Sequence, residues 1–179
     1  MAITNLISLI QTAEGALSET HAILQRQREL VVQAGNEGTL GADELAAIND
    51  EIGELNKELT AIADRTEFNG KKLLDGNFDA QFQIGANEGQ NLELQIETEA
   101  GTGFSADDLG VSGITATGES FDADVKLVDD AIKTVSAARS HLGANQNRLD
   151  HTINNLDNAQ ENLTAAESRI RDVDYSEAA

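Results

Sequence analysis

Two arginines within three positions, in Leu24-Gln-Arg-Gln-Arg-Glu-Leu30, form a local exception in a chain with 12 basic and 32 acidic residues. A guanidinium presents a rigid fork of donors that matches a carboxylate, so an arginine beside a glutamate is a frequent basis for recognising another protein. In a helix, Arg26 and Leu30 share a face at i, i+4. The stretch predicts either one exposed patch of charged and apolar groups or only a set of solvated ion pairs, which contribute little to stability.

The residues that usually carry catalysis are scattered along this chain. Its three histidines, His21, His141 and His151, lie far apart in sequence, and no metalloprotease, nucleophile-elbow or phosphate-loop motif occurs. Adjacent acids such as Asp129-Asp130 point about 100° apart on a helix, so they do not converge on one site. The absence of cysteine excludes disulfides and thiolate metal sites. We predict a protein that is not an enzyme and holds no metal or cofactor.

The net charge of −20 argues against two classes of partner. Duplex nucleic acid and anionic membranes would both be repelled by such a field. No apolar run approaches the ~20 residues of a membrane-spanning helix. The first residues lack a basic region, so we expect no cleavable signal peptide and, if the protein is secreted, another route of export.

A long apolar ladder predicts the main element that positions these residues. Eight apolar residues recur at intervals of seven, which places them on one side of a single helix. The helix is predicted over 122–172, and the first of the eight residues directly precedes it. A seam of that length is not stable bare in water and needs partner helices. Its members are Phe121, Val128, Val135, Leu142, Leu149, Leu156, Leu163 and Ile170.

Two shorter apolar ladders predict the partner helices, over residues 3–34 and 42–64. Glycines at positions 35, 38 and 41 end the first helix and turn the chain. In an antiparallel hairpin closed near Gly38, residues whose numbers sum to about 76 lie level with each other. This register places Glu51 almost opposite Arg26.

Residues 65–121 differ in kind from the helices. Phe82 and Ile84, and then Leu92, Leu94 and Ile96, alternate with polar residues, which predicts two strands joined through residues 85–89. The predicted fold is therefore mainly α: a single domain over residues 1–179, built as an elongated rod-like bundle of three long helices with coiled-coil-like packing and a small β-hairpin subdomain.

Five segments resemble bacterial flagellins, in the family's order and over nearly the whole chain. The resemblance implies a structural subunit of the secreted, extracellular flagellar filament, which serves motility and contacts other flagellin subunits. It also implies that helical segments at both ends of the family are shortened here, so we expect that this chain does not polymerise. The five segments are Ile7-Ser-Leu-Ile-Gln-Thr-Ala-Glu-Gly-Ala-Leu17, Leu24-Gln-Arg-Gln-Arg-Glu-Leu-Val-Val-Gln33, Thr66-Glu-Phe-Asn-Gly-Lys-Lys-Leu-Leu-Asp-Gly76, Asn147-Arg-Leu-Asp-His-Thr-Ile-Asn-Asn-Leu156 and Glu161-Asn-Leu-Thr-Ala-Ala-Glu-Ser-Arg-Ile-Arg-Asp-Val-Asp174.

The resemblance also implies two interaction sites. Asn154 and Asn155 match positions contacted by a flagellar assembly factor, and Gln27 stands where the family usually has an aliphatic residue. A surface recognised by the innate-immune Toll-like receptor 5 matches Leu24, Gln25, Arg26, Arg28, Glu29 and Leu30, with Glu51 opposite.

An alternative function follows from the end of the long ladder, which exceeds the first helix in length. Leu156, Leu163 and Ile170 lack an obvious partner within the chain. In two copies of the chain these residues would pair, as in a coiled coil. The alternative is thus a self-associating coiled-coil scaffold, a homodimer without receptor binding.

Overall fold

The computed structural model describes residues 2–36, 40–85, 89–99 and 101–178, with side chains described between residues 3 and 171. The prediction of a mainly helical protein with three helices, one of them long, and small antiparallel hairpins is confirmed. The elements are α1 (Ala2–Ala34), α2 (Ala42–Arg65), β1 (Glu67–Phe68), β2 (Lys71–Lys72), β3 (Asp79–Gln83), β4 (Asn91–Gln95) and α3 (Phe121–Ala178), with short 3₁₀ turns at Val111–Gly113 and Gly118–Ser120.

The chain divides into two units, Met1–Gly143 and Ala144–Ala179. The first contains α1, α2, the hairpins and the beginning of α3, and the second contains the remainder of α3. In the described part of the chain, no helix is both long enough and apolar enough to span a membrane.

Helix α1 forms because its apolar residues recur every three or four positions, which gives a broad stripe that packs in the core. Two polar residues, Thr20 and Gln27, lie in that stripe with no exposed surface. The helix ends before Gly35, where an added Cβ would collide with the ring of Phe121, the first residue of α3. The buried apolar members are Leu6, Leu9, Ile10, Ala13, Leu17, Leu24, Leu30, Val31 and Ala34.

Helix α2 begins with acidic residues that favour the positive end of a helix dipole. Glu44 accepts a hydrogen bond from the backbone N–H of Gly41, the residue before the first turn. At the other end, the Thr66 hydroxyl donates to the carbonyl of Ile62 at 2.6 Å. The core-facing residues of this helix are Ile48, Ile52, Leu59, Ile62 and Ala63.

Two antiparallel hairpins follow α2. In the β3–β4 hairpin, Phe82 pairs with Leu92, in line with the alternation seen in the sequence, and Leu92 and Leu94 are buried. Residues 86–88 of the predicted connection lie outside the described residues. The shorter β1–β2 hairpin turns through Asn69 and Gly70, and sequence reasoning did not anticipate it.

Residues 104–117, which we call the strap, connect the hairpins to α3. Phe104 and Val111 have no exposed surface. Side chains of α2 hold the strap: Thr60 accepts from the backbone N–H of Ala106 at 3.2 Å, and Asn56 donates to the carbonyl of Val111 at 3.4 Å. The strap therefore packs through apolar side chains and is fixed by polar ones.

Helix α3 begins with a carboxylate that reaches back to the strap. Asp124 is 2% exposed and accepts hydrogen bonds from the backbone N–H groups of Thr115 at 3.3 Å and Ala116 at 2.9 Å. The hydroxyl of Ser120 donates to the same carboxylate at 2.6 Å. This group thereby satisfies two backbone donors that burial would otherwise leave without partners.

Candidate functional site

Arg26 of α1 binds Glu51 of α2 through one edge of its guanidinium, the edge formed by Nε and Nη2. Its Nε donates to Oε1 of Glu51 at 2.9 Å, and its Nη2 donates to Oε2 at 3.3 Å. This is the two-pronged geometry that guanidinium and carboxylate groups favour. The hydrogen bond that Arg26 donates to Glu51, and after it the one that it donates to Glu29, raises the pKa of Arg26 above its ordinary value. The hairpin register of the sequence had placed these two residues opposite each other.

Two further side chains complete the exposed surface around Arg26. Glu29, one turn along α1, accepts from Nη1 of Arg26 at 3.1 Å. Gln25 is exposed, with its Nε2 at 3.4 Å from Nε2 of His21. We call Gln25, Arg26, Glu29 and Glu51 the Arg26 patch. It offers a partner a rigid guanidinium held between carboxylates.

The expectation that Leu30 is part of an exposed patch is wrong. Leu30 is 2% exposed and Leu24 is fully buried. The physical reason is the width of the apolar stripe of α1, because Leu30 lies beside the core residue Val31 and three positions after Gln27. These two leucines belong to the core and present almost no surface to a partner.

Arg28 points away from the Arg26 patch. Its Nε donates to Oδ1 of Asp129, on the first part of α3, at 2.8 Å. Sequence reasoning missed this partner because 101 positions separate the two residues. Arg28 therefore ties α1 to α3, and its side chain remains nearly half exposed.

Gln27 lies under the Arg26 patch as a polar residue in the core. Its Nε2 donates to Oδ1 of Asn56 on α2 at 2.6 Å. Its Oε1 is buried and has no hydrogen-bond partner among the described residues. The amide of Gln27 thus has a hydrogen bond on its nitrogen and none on its oxygen. The resemblance to the family implies an aliphatic residue at this position.

Asn154 and Asn155 are exposed on α3, within the second unit. Further along the same unit, Leu156, Leu163 and Ile170 are 43%, 71% and 63% exposed. Among the residues that the structure describes, no group of three or more histidine, cysteine or acidic side chains is arranged to hold a metal ion.

Comparisons with known proteins agree in one family. Residues 2–79 match the bacterial flagellin N-terminal helical region, and residues 125–179 match the bacterial flagellin C-terminal helical region. The chain is 51% identical to flagellin of Bacillus subtilis, over 96% of this chain and 66% of that protein. It is also 51% identical to flagellin of Halalkalibacterium halodurans, over 96% of this chain and 62% of that protein. The chain therefore spans slightly less than two thirds of the length of these relatives.

The fold agrees with the sequence comparisons. The crystal structure of Bacillus cereus flagellin superposes with a TM-score of 0.74 at 28% identity, and the match covers 86% of each chain. The N-terminal match covers α1, α2 and the first hairpin, and the C-terminal match covers nearly all of α3. The chain belongs to the bacterial flagellin family.

Proposed function

We propose that this chain corresponds to the helical core of a structural subunit of the extracellular bacterial flagellar filament. In the longer subunit, this core contacts other flagellin subunits and serves motility. The observation that carries the proposal is the match of both helical regions of the family, in order, to α1–α2 and to α3. A mainly helical chain with an aliphatic core is compatible with the role of a structural subunit.

A chimera tests this role in the setting of a longer relative. Residues 2–79 and 125–179 of this chain replace the matching segments of Bacillus subtilis flagellin, in a strain without its own flagellin. We expect secreted chimera, visible filaments and swimming cells. A chimera that carries Leu17→Asp in the buried stripe of α1 is the control for a broken core. Folded, secreted chimera that never forms filaments would contradict the proposal.

We further propose that Toll-like receptor 5 recognises the Arg26 patch. The family resemblance supplies the receptor, and the geometry supports the assignment. Arg26 is held by two carboxylates in an orientation that costs little further entropy on binding, and arginine is among the residues that most often anchor interfaces. The side chains of Arg26 and Glu29 are 47% and 69% exposed, which leaves them accessible to a receptor.

Arg26→Ala in a receptor reporter cell line tests this assignment. We expect potency to fall on the order of tenfold or more, as for truncation of an interface anchor. Arg65→Ala is the matched control, because Arg65 is an exposed arginine with its own ion pair to Glu58 at 2.8 Å on another part of α2. Equal responses to both variants would place recognition elsewhere.

A second candidate function is self-association through the second unit. Leu156, Leu163 and Ile170 follow one another at intervals of seven and are all exposed, which is unusual for large aliphatic side chains. Two copies that pair these residues would bury the stripe.

Light scattering after gel filtration distinguishes this candidate. We expect a concentration-dependent dimer that Leu163→Glu removes, whereas Asn162→Glu, which adds the same charge off the stripe, leaves it intact. A chain that remains monomeric at high micromolar concentration would exclude the scaffold function. The Arg26→Ala test above is independent of this result.

A flagellar assembly factor is the third proposed partner, through Asn154 and Asn155. Both side chains are exposed on α3, so they are accessible without local unfolding. Replacement of both by alanine should abolish co-purification with the factor and leave the helical content unchanged. Unchanged co-purification would remove these residues from the contact.

A further inference from the structure

The turn between β1 and β2 contains Asn69-Gly70, the one Asn-Gly pair in the sequence. The strands pair Glu67 with Lys72 and Phe68 with Lys71, so these two residues form the whole loop. Their φ angles are 51° and 78°. Positive φ at both positions is characteristic of a type I′ turn, in which Asn-Gly is the preferred pair.

We propose that Asn69 is a site of spontaneous deamidation. The backbone nitrogen of Gly70 attacks Cγ of Asn69, a new N–C bond closes a cyclic imide, and the side-chain NH₂ leaves as ammonia with the proton of the Gly70 nitrogen. Water then adds to either carbonyl of the imide and opens it to aspartate or isoaspartate. Water is the only co-reactant, and one neutral amide becomes one carboxylate.

The surroundings of the turn leave both reacting groups accessible. Asn69 and Gly70 are exposed, and the side-chain amide of Asn69 has no hydrogen bond to the described residues. Apart from Gly70 and its two neighbours in the chain, no heavy atom lies within 4 Å of the position that a Cβ on Gly70 would occupy. No described residue outside the turn therefore blocks the approach of the Gly70 nitrogen to Cγ of Asn69.

The attack on Cγ requires local opening of the hairpin. Asn69 must rotate its backbone away from the turn conformation before the nitrogen faces Cγ. Two residue pairs form the strands, next to them the backbone N–H of Leu73 donates to the carbonyl of Thr66 at 3.1 Å, and Lys72 forms an ion pair with Glu67 at 3.5 Å. A hairpin with strands of two residues is marginally stable by itself. Local opening of such a segment requires far less free energy than global unfolding.

Asp75-Gly76 provides an internal comparison, because an Asp-Gly pair forms the same imide by loss of water. Oδ1 of Asp75 accepts a hydrogen bond from the backbone N–H of Asn77 at 2.9 Å. Gly76 is buried, and a Cβ there would lie 2.5 Å from the nitrogen of Gly103. The structure therefore restrains this second pair, and we expect it to react more slowly than Asn69-Gly70.

The two products have different consequences for the hairpin. Aspartate tolerates a positive φ, so it keeps the turn and adds a carboxylate beside the exposed Lys71. Isoaspartate adds a methylene to the main chain and no longer fits a two-residue loop. A mixture of intact and opened hairpins is expected as the protein ages.

Peptide mapping of the aged, intact chain tests the proposal. Trypsin cleaves after Arg65 and Lys71, so residue 69 lies in peptide 66–71 and residue 75 in a separate peptide. After incubation at mildly alkaline pH, we expect peptide 66–71 to gain the mass of one amide-to-acid conversion. Labelling by an isoaspartyl methyltransferase should appear in that peptide and not in the peptide that contains Asp75.

Asn69→Asp is the matched control, since its peptide cannot gain that mass. The chain unfolded in denaturant gives the reference rate for an unprotected Asn-Gly pair. An unchanged mass of peptide 66–71 over a time in which the unfolded chain converts would overturn the proposal. Isoaspartate appearing at residue 75 as fast as at residue 69 would overturn it as well.

Discussion

Gln27 shows how one side chain places a polar group inside an aliphatic core. It has no exposed surface, one hydrogen bond to Asn56 and an Oε1 without a partner in the described part of the chain. A buried amide that is only half satisfied costs free energy, whereas an apolar group of the same shape does not. Gln27 thus lowers the stability of the α1–α2 contact beneath the Arg26 patch.

Gln27→Met, an unbranched replacement of similar length, should raise the free energy of unfolding by about 1 kcal/mol, because it removes the unpaired oxygen. For a domain of this size that corresponds to a rise of about 2–4 °C in Tm. Gln27→Ala, which leaves a cavity instead, should lower the stability. Thermal and urea unfolding measure both changes.

Asn56→Ala completes a double-mutant cycle with Gln27→Met. With Gln27 present, loss of Asn56 leaves a buried amide unpaired and should cost on the order of 1–3 kcal/mol. In the Gln27→Met background, the same change should cost less, and the difference is the coupling between the two residues. Equal costs in both backgrounds would show that the 2.6 Å contact contributes nothing.

The candidate site was only partly predictable at the residue scale. The pairing of Arg26 with Glu51 followed from the hairpin register, because helical periodicity determines which residues face each other. The burial of Leu30 did not follow from the sequence. Leu30 lies about 40° from Arg26 around the helix axis, and that position is compatible with either the buried stripe or the exposed face beside it. The pairing of Arg28 with Asp129 depends on how α3 packs against α1, which local pattern does not specify.

At the scale of elements, the helices and the longer hairpin were predictable and the connections were not. Periods of three to four and of two are repeated many times in α1, α2 and the β3–β4 hairpin. Strands β1 and β2 have two residues each and show no period. Asp124 contacts Thr115 and Ala116 and thereby joins α3 to the strap, and no periodic pattern in the sequence predicts these contacts.

At the same scale, two loops cross at Gly103. The addition of a single methyl group there tests how closely the two loops pack. A Cβ on Gly103 would lie 2.6 Å from the carbonyl carbon of Asp75 and from the carbonyl oxygen of Leu74. Backbone atoms cannot rotate away as a flexible side chain does, so Gly103→Ala should lower the free energy of unfolding by about 1–3 kcal/mol. Urea unfolding measures the change.

Gly15→Ala is the matched control on α1, where no heavy atom outside the adjacent residues and the local helix backbone lies within 4 Å of an added Cβ. There alanine should stabilise the protein by about 0.5–1 kcal/mol, because glycine is the poorer helix former. If Gly103→Ala were as well tolerated as Gly15→Ala, the loop crossing would be far looser than its backbone distances indicate.

At the scale of the whole molecule, the two units differ in how their parts of α3 are stabilised. In the first unit, Val128, Val135 and Leu142 are buried. In the second, nearly all side chains from residue 154 to residue 171 are exposed. Helices in water derive most of their stability from an apolar face that is packed against a partner.

Backbone amides should therefore exchange hydrogen slowly in the first part of α3 and rapidly in the second. At low protein concentration, amides of residues 154–171 should exchange much faster than those of residues 125–142, because opening a helix without buried apolar contacts requires little free energy. Mass spectrometry of peptides from each region measures the difference. If a second copy covers Leu156, Leu163 and Ile170, the protection of residues 154–171 from hydrogen exchange rises with protein concentration. Leu163→Glu should prevent that rise. Equal protection of both ranges at the lowest concentration, in the parent chain and in Leu163→Glu alike, would contradict the exposure of this stripe and with it the basis for self-association.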